Sequence, residues 1–102
     1  MADRGYLVVR AVVADTADRA PFDRWYADEH LPDAMKAFGA LHAWRAWSHT
    51  DPSVHYAFYS FDSVETTEAI TTSPMIKALI AEFDKRWGGK VTRTREILAV
   101  SP

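Results

Sequence analysis

Four strand-like segments and two helical regions follow one another in an order that few folds allow. Tyr6 to Val13 is nearly all apolar and rich in valine, which is typical of a strand covered on both faces. Ala40 to His49 and Val54 to Phe61 flank a turn, and Lys90 to Val100 is the last strand-like segment. The order β-α-β-β-α-β predicts an α+β, ferredoxin-like fold, a four-stranded antiparallel sheet with its helices on one face.

Prolines and a glycine mark the first helical region. Ala14 to Arg19 is polar and predicts a connection, after which Pro21 fits the first turn of a helix. The helix should continue to about Leu31, where Pro32 disfavours helical geometry and predicts a break or kink. A further turn or two should then end at Gly39.

The second helical region shows a start, an interruption and an apolar stripe. Asp62 or Ser63 can cap its first part, and Ser73 followed by Pro74 predicts that the helix restarts there. The restarted helix has apolar residues at helical spacing. They are Met75, Ile76, Leu79, Ile80, Phe83 and Trp87.

The turn between the two middle strands predicts their register. Thr50 to Ser53 resembles a four-residue hairpin loop, which would place His49 opposite Val54. One face would then carry large polar-tipped side chains around a small alanine pair, with room for a ligand. That face would hold His42, Trp44, Ala46, Ser48, His55, Ala57, Tyr59 and Phe61. Arg45, Trp47, Tyr56 and Phe58 would lie on the opposite face, which would suit a dimer interface.

The aromatic content favours a dimer. A single domain spanning residues 1–102 is expected from the length, and 13% of the residues are aromatic, including four tryptophans. A chain this short cannot easily bury so much aromatic surface, and a sheet with helices on one face needs a second cover. We therefore expect a homodimer formed through the open sheet face, which makes a dimeric α+β barrel.

Several functional classes are disfavoured. The net charge is −2 without a basic block, which argues against nucleic acid, and no apolar run approaches the length of a membrane helix. The start shows no signal-peptide pattern, which predicts a cytoplasmic protein. There is no cysteine, no convincing histidine spacing for a metal and no phosphate or dinucleotide motif, so we expect neither metal nor cofactor.

The first helix carries the strongest chemical signal. Steps of about 100° place Trp25, Tyr26, Glu29 and His30 on one side, together with Phe22. Histidine is well suited to proton transfer near neutral pH. The alternative is that His30 and Glu29 simply lie at the helix end, where a histidine cation is favoured. Arg93 and Arg95 could hold an anionic ligand or lie at a surface.

The segment Trp25 to Pro32 resembles a W-Y-x-x-E-H-(I/L)-P helix of uncharacterised bacterial proteins in the dimeric α+β barrel superfamily. The related EthD family shares the aromatic…His-x-Pro part of this pattern. Gly39 and Tyr59 match a glycine and a tyrosine common in these proteins, and Thr72-Ser73-Pro74 matches the helix restart. The resemblance implies the barrel fold and a place for His30 beside the cleft between helices and sheet.

The superfamily includes cofactor-free monooxygenases, isomerases, cyclases, dehydratases and haem-degrading enzymes. We therefore predict a cofactor-free acid–base enzyme, of isomerase, cyclase, dehydratase or monooxygenase type, acting on a hydrophobic oxygenated metabolite. His30 would be the acid or base, Glu29 would orient or charge-balance it, and Tyr59 would bind the substrate oxygen. Trp25, Tyr26, Trp44, His42 and His55 would line the pocket. The alternatives are a non-catalytic ligand-binding or structural dimer and, less favoured, a haem-binding protein.

Overall fold

The computed structural model describes residues 3–101, and its elements follow the predicted order. Strands β1, β2, β3 and β4 form one antiparallel sheet in the order β2-β3-β1-β4. They span Arg4–Val13, His42–Trp47, Val54–Phe61 and Val91–Val100. Helices α1, α2, α3 and α4 span Thr16–Trp25, Leu31–Phe38, Val64–Thr71 and Pro74–Trp87. Met1, Ala2 and Pro102, which the domain prediction includes, lie outside the described residues.

The core lies between one face of the sheet and the helices. Alternate residues of β1 and β3 point into it, as expected for strands with one face against helices. These are Leu7, Val9, Ala11, Val13, Ala57, Tyr59 and Phe61, all buried. Helix α4 contributes its apolar stripe through Ile76, Leu79, Phe83 and Trp87. Met75 does not belong to that stripe, because it is 45% exposed. No helix within residues 3–101 is long and apolar enough to span a membrane.

The predicted hairpin register was wrong by one residue. The backbone N–H of Ser48 donates to the carbonyl of Val54 at 2.9 Å, so the loop contains five residues instead of four. Asp51 stabilises the longer loop, since its Oδ1 accepts from the backbone N–H and the hydroxyl of Ser53. Trp44 therefore pairs with Phe58, and the side chains of β2 exchange faces relative to the prediction.

Helix α1 begins earlier than predicted, so the expected connection at 14–19 was wrong. Asp15 caps the helix, its Oδ1 accepting from the backbone N–H of Ala17 at 2.9 Å. Arg19 also fixes this turn against the sheet, because its Nε donates to the carbonyl of Val13 at 3.1 Å. Pro21 consequently lies inside α1 and not in its first turn.

The predicted break at Leu31 takes a different form. Leu31 is helical, with φ −64° and ψ −48°, and the irregularity lies one turn earlier, in a π-helical turn at Tyr26–His30. The N–H of Leu31 donates to the carbonyl of Tyr26, five residues back. Helix α2 then ends at Gly39 as predicted, with φ 64°, a conformation that suits glycine.

Candidate functional site

A small, partly open cavity of about 30 Å³ lies between the sheet and helices α2 and α4. Its wall is mainly aliphatic and aromatic, with five polar or charged side chains. The lining residues are Leu7, Val9, Tyr26, His30, Ala34, Phe38, Tyr59, Ile76, Leu79, Ile80, Phe83, Arg93 and Arg95. This volume holds one or two water molecules, so a larger ligand must displace side chains to enter.

His30 reaches this cavity from the end of the π-helical turn. Its side chain is buried, and its Nδ1 has no hydrogen-bond partner among the described residues. The ring stacks on Trp25 with 4.5 Å between ring centroids and meets Tyr26 edge-on at 5.0 Å. Burial lowers the pKa of His30 to about 4, and the nearby Arg93 cation adds to this effect. At neutral pH the imidazole is therefore uncharged and able to accept a proton.

Tyr26 and Tyr59 place two phenol groups at the same cavity. Each residue is 1% exposed. Burial raises the pKa of Tyr26 to about 12 and that of Tyr59 well above its ordinary value. A hydrogen bond between the two side chains lowers the first pKa and raises the second. Both phenols therefore remain protonated at neutral pH, and because they share one hydrogen bond, one of the two hydroxyls is left to donate to a ligand.

Two arginines of the edge strand β4 border the cavity. The guanidinium carbon of Arg93 lies 4.0 Å from the centroid of the Phe83 ring. Its Nη2 lies 3.3 Å from Oδ1 of Asp84, a carboxylate that is mostly exposed. Arg95 lies two residues further along the same face. Sequence reasoning left the role of this pair open, and the structure places both side chains at the cavity.

An outer cleft of about 350 Å³ lies on the other side of His30. It is lined by Trp25, Glu29, His30, Asp33, Glu82, Lys85 and Arg86. His30 is the residue common to the linings of the cleft and the cavity. Glu29 is exposed in the cleft and does not line the inner cavity with Tyr59.

The structure separates the other predicted pocket residues. Trp44 and His42 lie on the open face of the sheet, so their predicted place beside Tyr59 was wrong because of the register error. Trp44 is 41% exposed there and stacks on Phe58 at 5.2 Å. Trp25 lies behind His30, in the outer cleft.

His55 is buried in the core beneath α1 and does not line the cavity. Its ring lies 5.2 Å from Phe22, 4.7 Å from Tyr26 and 5.0 Å from Trp47, measured between centroids. Neither ring nitrogen has a hydrogen-bond partner among the described residues. Burial lowers the pKa of His55 to about 4, and the cation of Arg45 lowers it further.

Asp23 holds in place Trp47, one of the rings around His55, together with Arg45. Its Oδ1 accepts from Trp47 Nε1 at 2.8 Å and also from Arg45 Nη1. The hydrogen bond from Trp47 is the main reason that the pKa of Asp23 lies below its ordinary value. Sequence reasoning missed this contact because it placed Arg45 and Trp47 on the open face. Across residues 3–101, no group of three or more acidic or histidine side chains could hold a metal ion.

Comparison with solved structures identifies the fold. A variant of SnoaB, a cofactor-independent oxygenase from Streptomyces nogalater, superposes with a TM-score of 0.70 at 12% identity, covering 99% of this chain and 96% of SnoaB. An EthD family protein from Bacillus halodurans gives 0.64 at 18% identity, covering 89% and 96%. HapK from Hahella chejuensis gives 0.66 at 11% identity, covering 96% and 91%. No family model and no curated protein sequence matches this chain.

These likenesses define the class of fold. The chain has the ferredoxin-like α+β architecture of the dimeric α+β barrel proteins, as its element order and the Trp25 to Pro32 segment predicted. Its structural neighbours include an EthD family protein and SnoaB, a cofactor-independent oxygenase.

Proposed function

We propose that this protein is a cofactor-free acid–base enzyme acting on a small, hydrophobic, oxygen-bearing metabolite. The observation that carries the proposal is the uncharged His30 imidazole, with an unpartnered Nδ1, beside the apolar cavity that Tyr26 and Tyr59 also line. A neutral base and protonated phenols around one apolar space are the groups that proton transfer next to a carbonyl requires.

In the proposed reaction His30 removes a proton from the carbon beside a carbonyl group. The electron pair of the broken C–H bond moves towards the carbonyl oxygen, which becomes an enolate oxygen. The hydroxyl of Tyr59 donates a hydrogen bond to that oxygen and so stabilises its charge. Where the substrate has a C=C bond conjugated with the enolate, the electron pair extends to the far carbon of that bond, and His30 returns the proton there, which shifts the double bond and completes an isomerisation. Glu29, on the cleft side, balances the charge of the transient imidazolium.

A second reaction type is favoured by the structural likeness to SnoaB, which is described as a cofactor-independent oxygenase. Deprotonation by His30 would again come first. Molecular oxygen would then accept electrons from the carbanion, so that one oxygen atom enters the substrate as a carbonyl and the other leaves as water. Oxygen consumption distinguishes this reaction from isomerisation.

Deprotonation can be tested before the natural substrate is identified. Proton exchange at the α-carbon of 2-tetralone and 1-indanone in D₂O, followed by ¹H NMR, reports enolate formation directly. We expect the protein to accelerate exchange and His30→Gln to lower the rate about 100-fold or more. Tyr59→Phe should lower it about tenfold, and His49→Gln, an exposed loop variant, should not change it.

The contrary results favour the non-catalytic alternatives. If the protein accelerates neither exchange nor oxygen uptake with these ketones, the enzyme proposal is wrong, and a binding or structural dimer remains. Equal rates for the wild type and His30→Gln would also exclude His30 as the base.

We propose in addition that a second copy of the chain covers the open face of the sheet. That face carries an aromatic cluster in which Tyr6 meets Trp44 at 5.7 Å and Trp44 stacks on Phe58. Trp44 and Leu98 are 41% and 38% exposed in the single chain. A twofold dimer would bury this patch against itself.

Light scattering during size-exclusion chromatography tests the dimer. We expect twice the chain mass for the wild type and the single-chain mass for Trp44→Lys, because the twofold axis would bury each added charge. Met35→Lys, at an exposed apolar residue of α2, is the matched control and should stay dimeric. A monomeric wild type would contradict the proposal.

A further inference from the structure

We infer that the substrate carries a carboxylate group, which Arg93 and Arg95 bind at the β4 side of the cavity. The inference rests on the proposed function, since it specifies the substrate of the same site. It narrows that substrate from any hydrophobic carbonyl compound to a small keto acid or a related carboxylate with an apolar body.

The first argument is the charge balance of the cavity wall. Two of its thirteen lining residues are arginines, and none is an aspartate or a glutamate. Within residues 3–101, Asp84 is the carboxylate paired with Arg93, and none lies within ion-pair distance of Arg95. Asp84 is 61% exposed, so solvent screens its attraction for Arg93. A bound anion would supply the missing negative charge.

The second argument is the way in which Arg93 is held. Only 15% of its side chain is exposed, and its guanidinium lies over the face of Phe83, another residue of the cavity wall. Stacking on an aromatic ring fixes the plane of the guanidinium but uses none of its N–H groups. The single contact with Asp84 leaves further donors free, and a guanidinium fork matches the two oxygens of a carboxylate.

The third argument concerns what else lines the cavity. The two arginines line the same cavity as His30, Tyr26 and Tyr59, and the rest of its wall is apolar. The Arg93 guanidinium and the His30 ring both contact Phe83, at 4.0 Å and 5.9 Å from its centroid. A small molecule that carries a carboxylate and a carbonyl group close together would meet both sets of polar groups. Its apolar part would contact residues such as Leu79 and Phe83, with side chains moving to admit it.

Benzoate and benzamide provide a matched pair of ligands, since they have nearly the same shape and differ in charge. Their affinities can be measured by ¹H–¹⁵N NMR titration of the full chain. We expect the wild type to bind benzoate at least tenfold more tightly than benzamide. Arg93→Gln should reduce that ratio to about one, and Arg95→Gln should reduce it less, because Arg95 is exposed.

Two further variants test whether the change in the affinity ratio comes from Arg93 itself and not from net charge or loss of folding. Asp84→Asn removes the competing carboxylate and should increase the affinity for benzoate severalfold without changing that for benzamide. Arg24→Gln removes an exposed arginine from the outer surface of α1 and should leave the ratio unchanged. An amide spectrum unaltered away from the substituted residue would show that each variant folds.

The outcomes separate this inference from the proposed function. Equal binding of the two ligands, or binding of neither, would overturn the carboxylate site, whereas ketone exchange dependent on His30 would still support the enzyme. A benzoate preference lost in Arg93→Gln would support the carboxylate site even if His30→Gln had no effect on exchange. A ratio equally reduced by Arg24→Gln would overturn the assignment to Arg93.

Discussion

His30 and His55 are both buried histidines on the helix side of the sheet, and their surroundings differ in one decisive way. Burial lowers the pKa of each to about 4, and each has a ring nitrogen without a hydrogen-bond partner. His30 borders a cavity and the outer cleft. His55 is packed among the rings of Phe22, Tyr26 and Trp47, and it lines neither space.

The comparison shows that a shifted pKa alone does not locate a reaction site. Desolvation produces the same direction of shift at a core position and at a cavity wall. A reacting histidine also needs space for another molecule beside its nitrogen, and only His30 has that space. Substitutions at the two histidines and at the alanines beside them test whether this difference in space matters.

The largest expected effect is a loss of stability in mild acid. Each histidine has a pKa near 4 in the folded protein and near 6.5 in the unfolded chain, so the unfolded state binds more protons between these values. The free energy of unfolding should therefore be fully present above pH 6.5 and fall as the pH drops towards 4. The loss amounts to about 3 kcal/mol per fully desolvated histidine.

Variants divide this loss between the two sites. Urea unfolding at pH 7 and pH 4.5 should show that His55→Leu removes more of the pH dependence than His30→Leu. The reason is that water entering the cavity can solvate an imidazolium at His30 but not at His55. If His30→Leu reduced the pH dependence of unfolding more than His55→Leu, the proposed difference in packing around the two histidines would be wrong.

Filling space beside each histidine should give effects of intermediate size. Ala34 lines the cavity, whereas Ala57 is fully buried and does not. We expect Ala57→Val to lower the free energy of unfolding by about 1–3 kcal/mol, because added methyl groups overpack a filled core. Ala34→Val should change it by less than about 1 kcal/mol while weakening ligand binding. Equal losses for the two variants would mean that the cavity offers no usable space.

The smallest expected effect is a gain in stability at neutral pH. His55→Leu replaces two unpartnered nitrogens with apolar atoms of similar volume, which should stabilise the fold by about 1 kcal/mol. Thermal unfolding at pH 8, where both histidines are neutral in either state, isolates this effect from protonation. A loss of stability would indicate that His55 makes a favourable polar contact through water.

The sequence predicted the sheet well where local patterns decide the structure. Strand β3 has the predicted bounds, Val54–Phe61, and Ser73, Pro74 and Gly39 end or restart helices where their capping preferences indicate. The register of β2 could not be predicted in the same way. The register depends on whether the loop has four or five residues. The hydrogen bonds of Asp51 to Ser53 stabilise the five-residue loop, and the order of residues does not show that these bonds form.

The candidate site was predicted only in part, and the register of β2 is again one reason. His30, Tyr26 and Tyr59 were expected to lie together, and the structure brings all three to one cavity. Trp44 and His42 were assigned to the pocket through the wrong register. His55 lies on the predicted face of β3, but its ring is packed against Phe22 and does not reach the cavity. Such close packing depends on contacts between segments that are distant in the sequence.

The π-helical turn at Tyr26–His30 also sets the rotational phase of the chain that follows it. Relative to a regular helix, the turn contains one extra residue, which is equivalent to about 100° of rotation. Helices α1 and α2 can thus both present apolar residues to one sheet although their sequence patterns are out of phase. A regular helix through all of these residues would instead rotate Ala34 and Phe38 by about 100° away from the core, whereas deleting Ala27 should give a regular helix that still points both residues inward. The irregular turn therefore corrects the rotation between two helices that pack on the same hydrophobic surface.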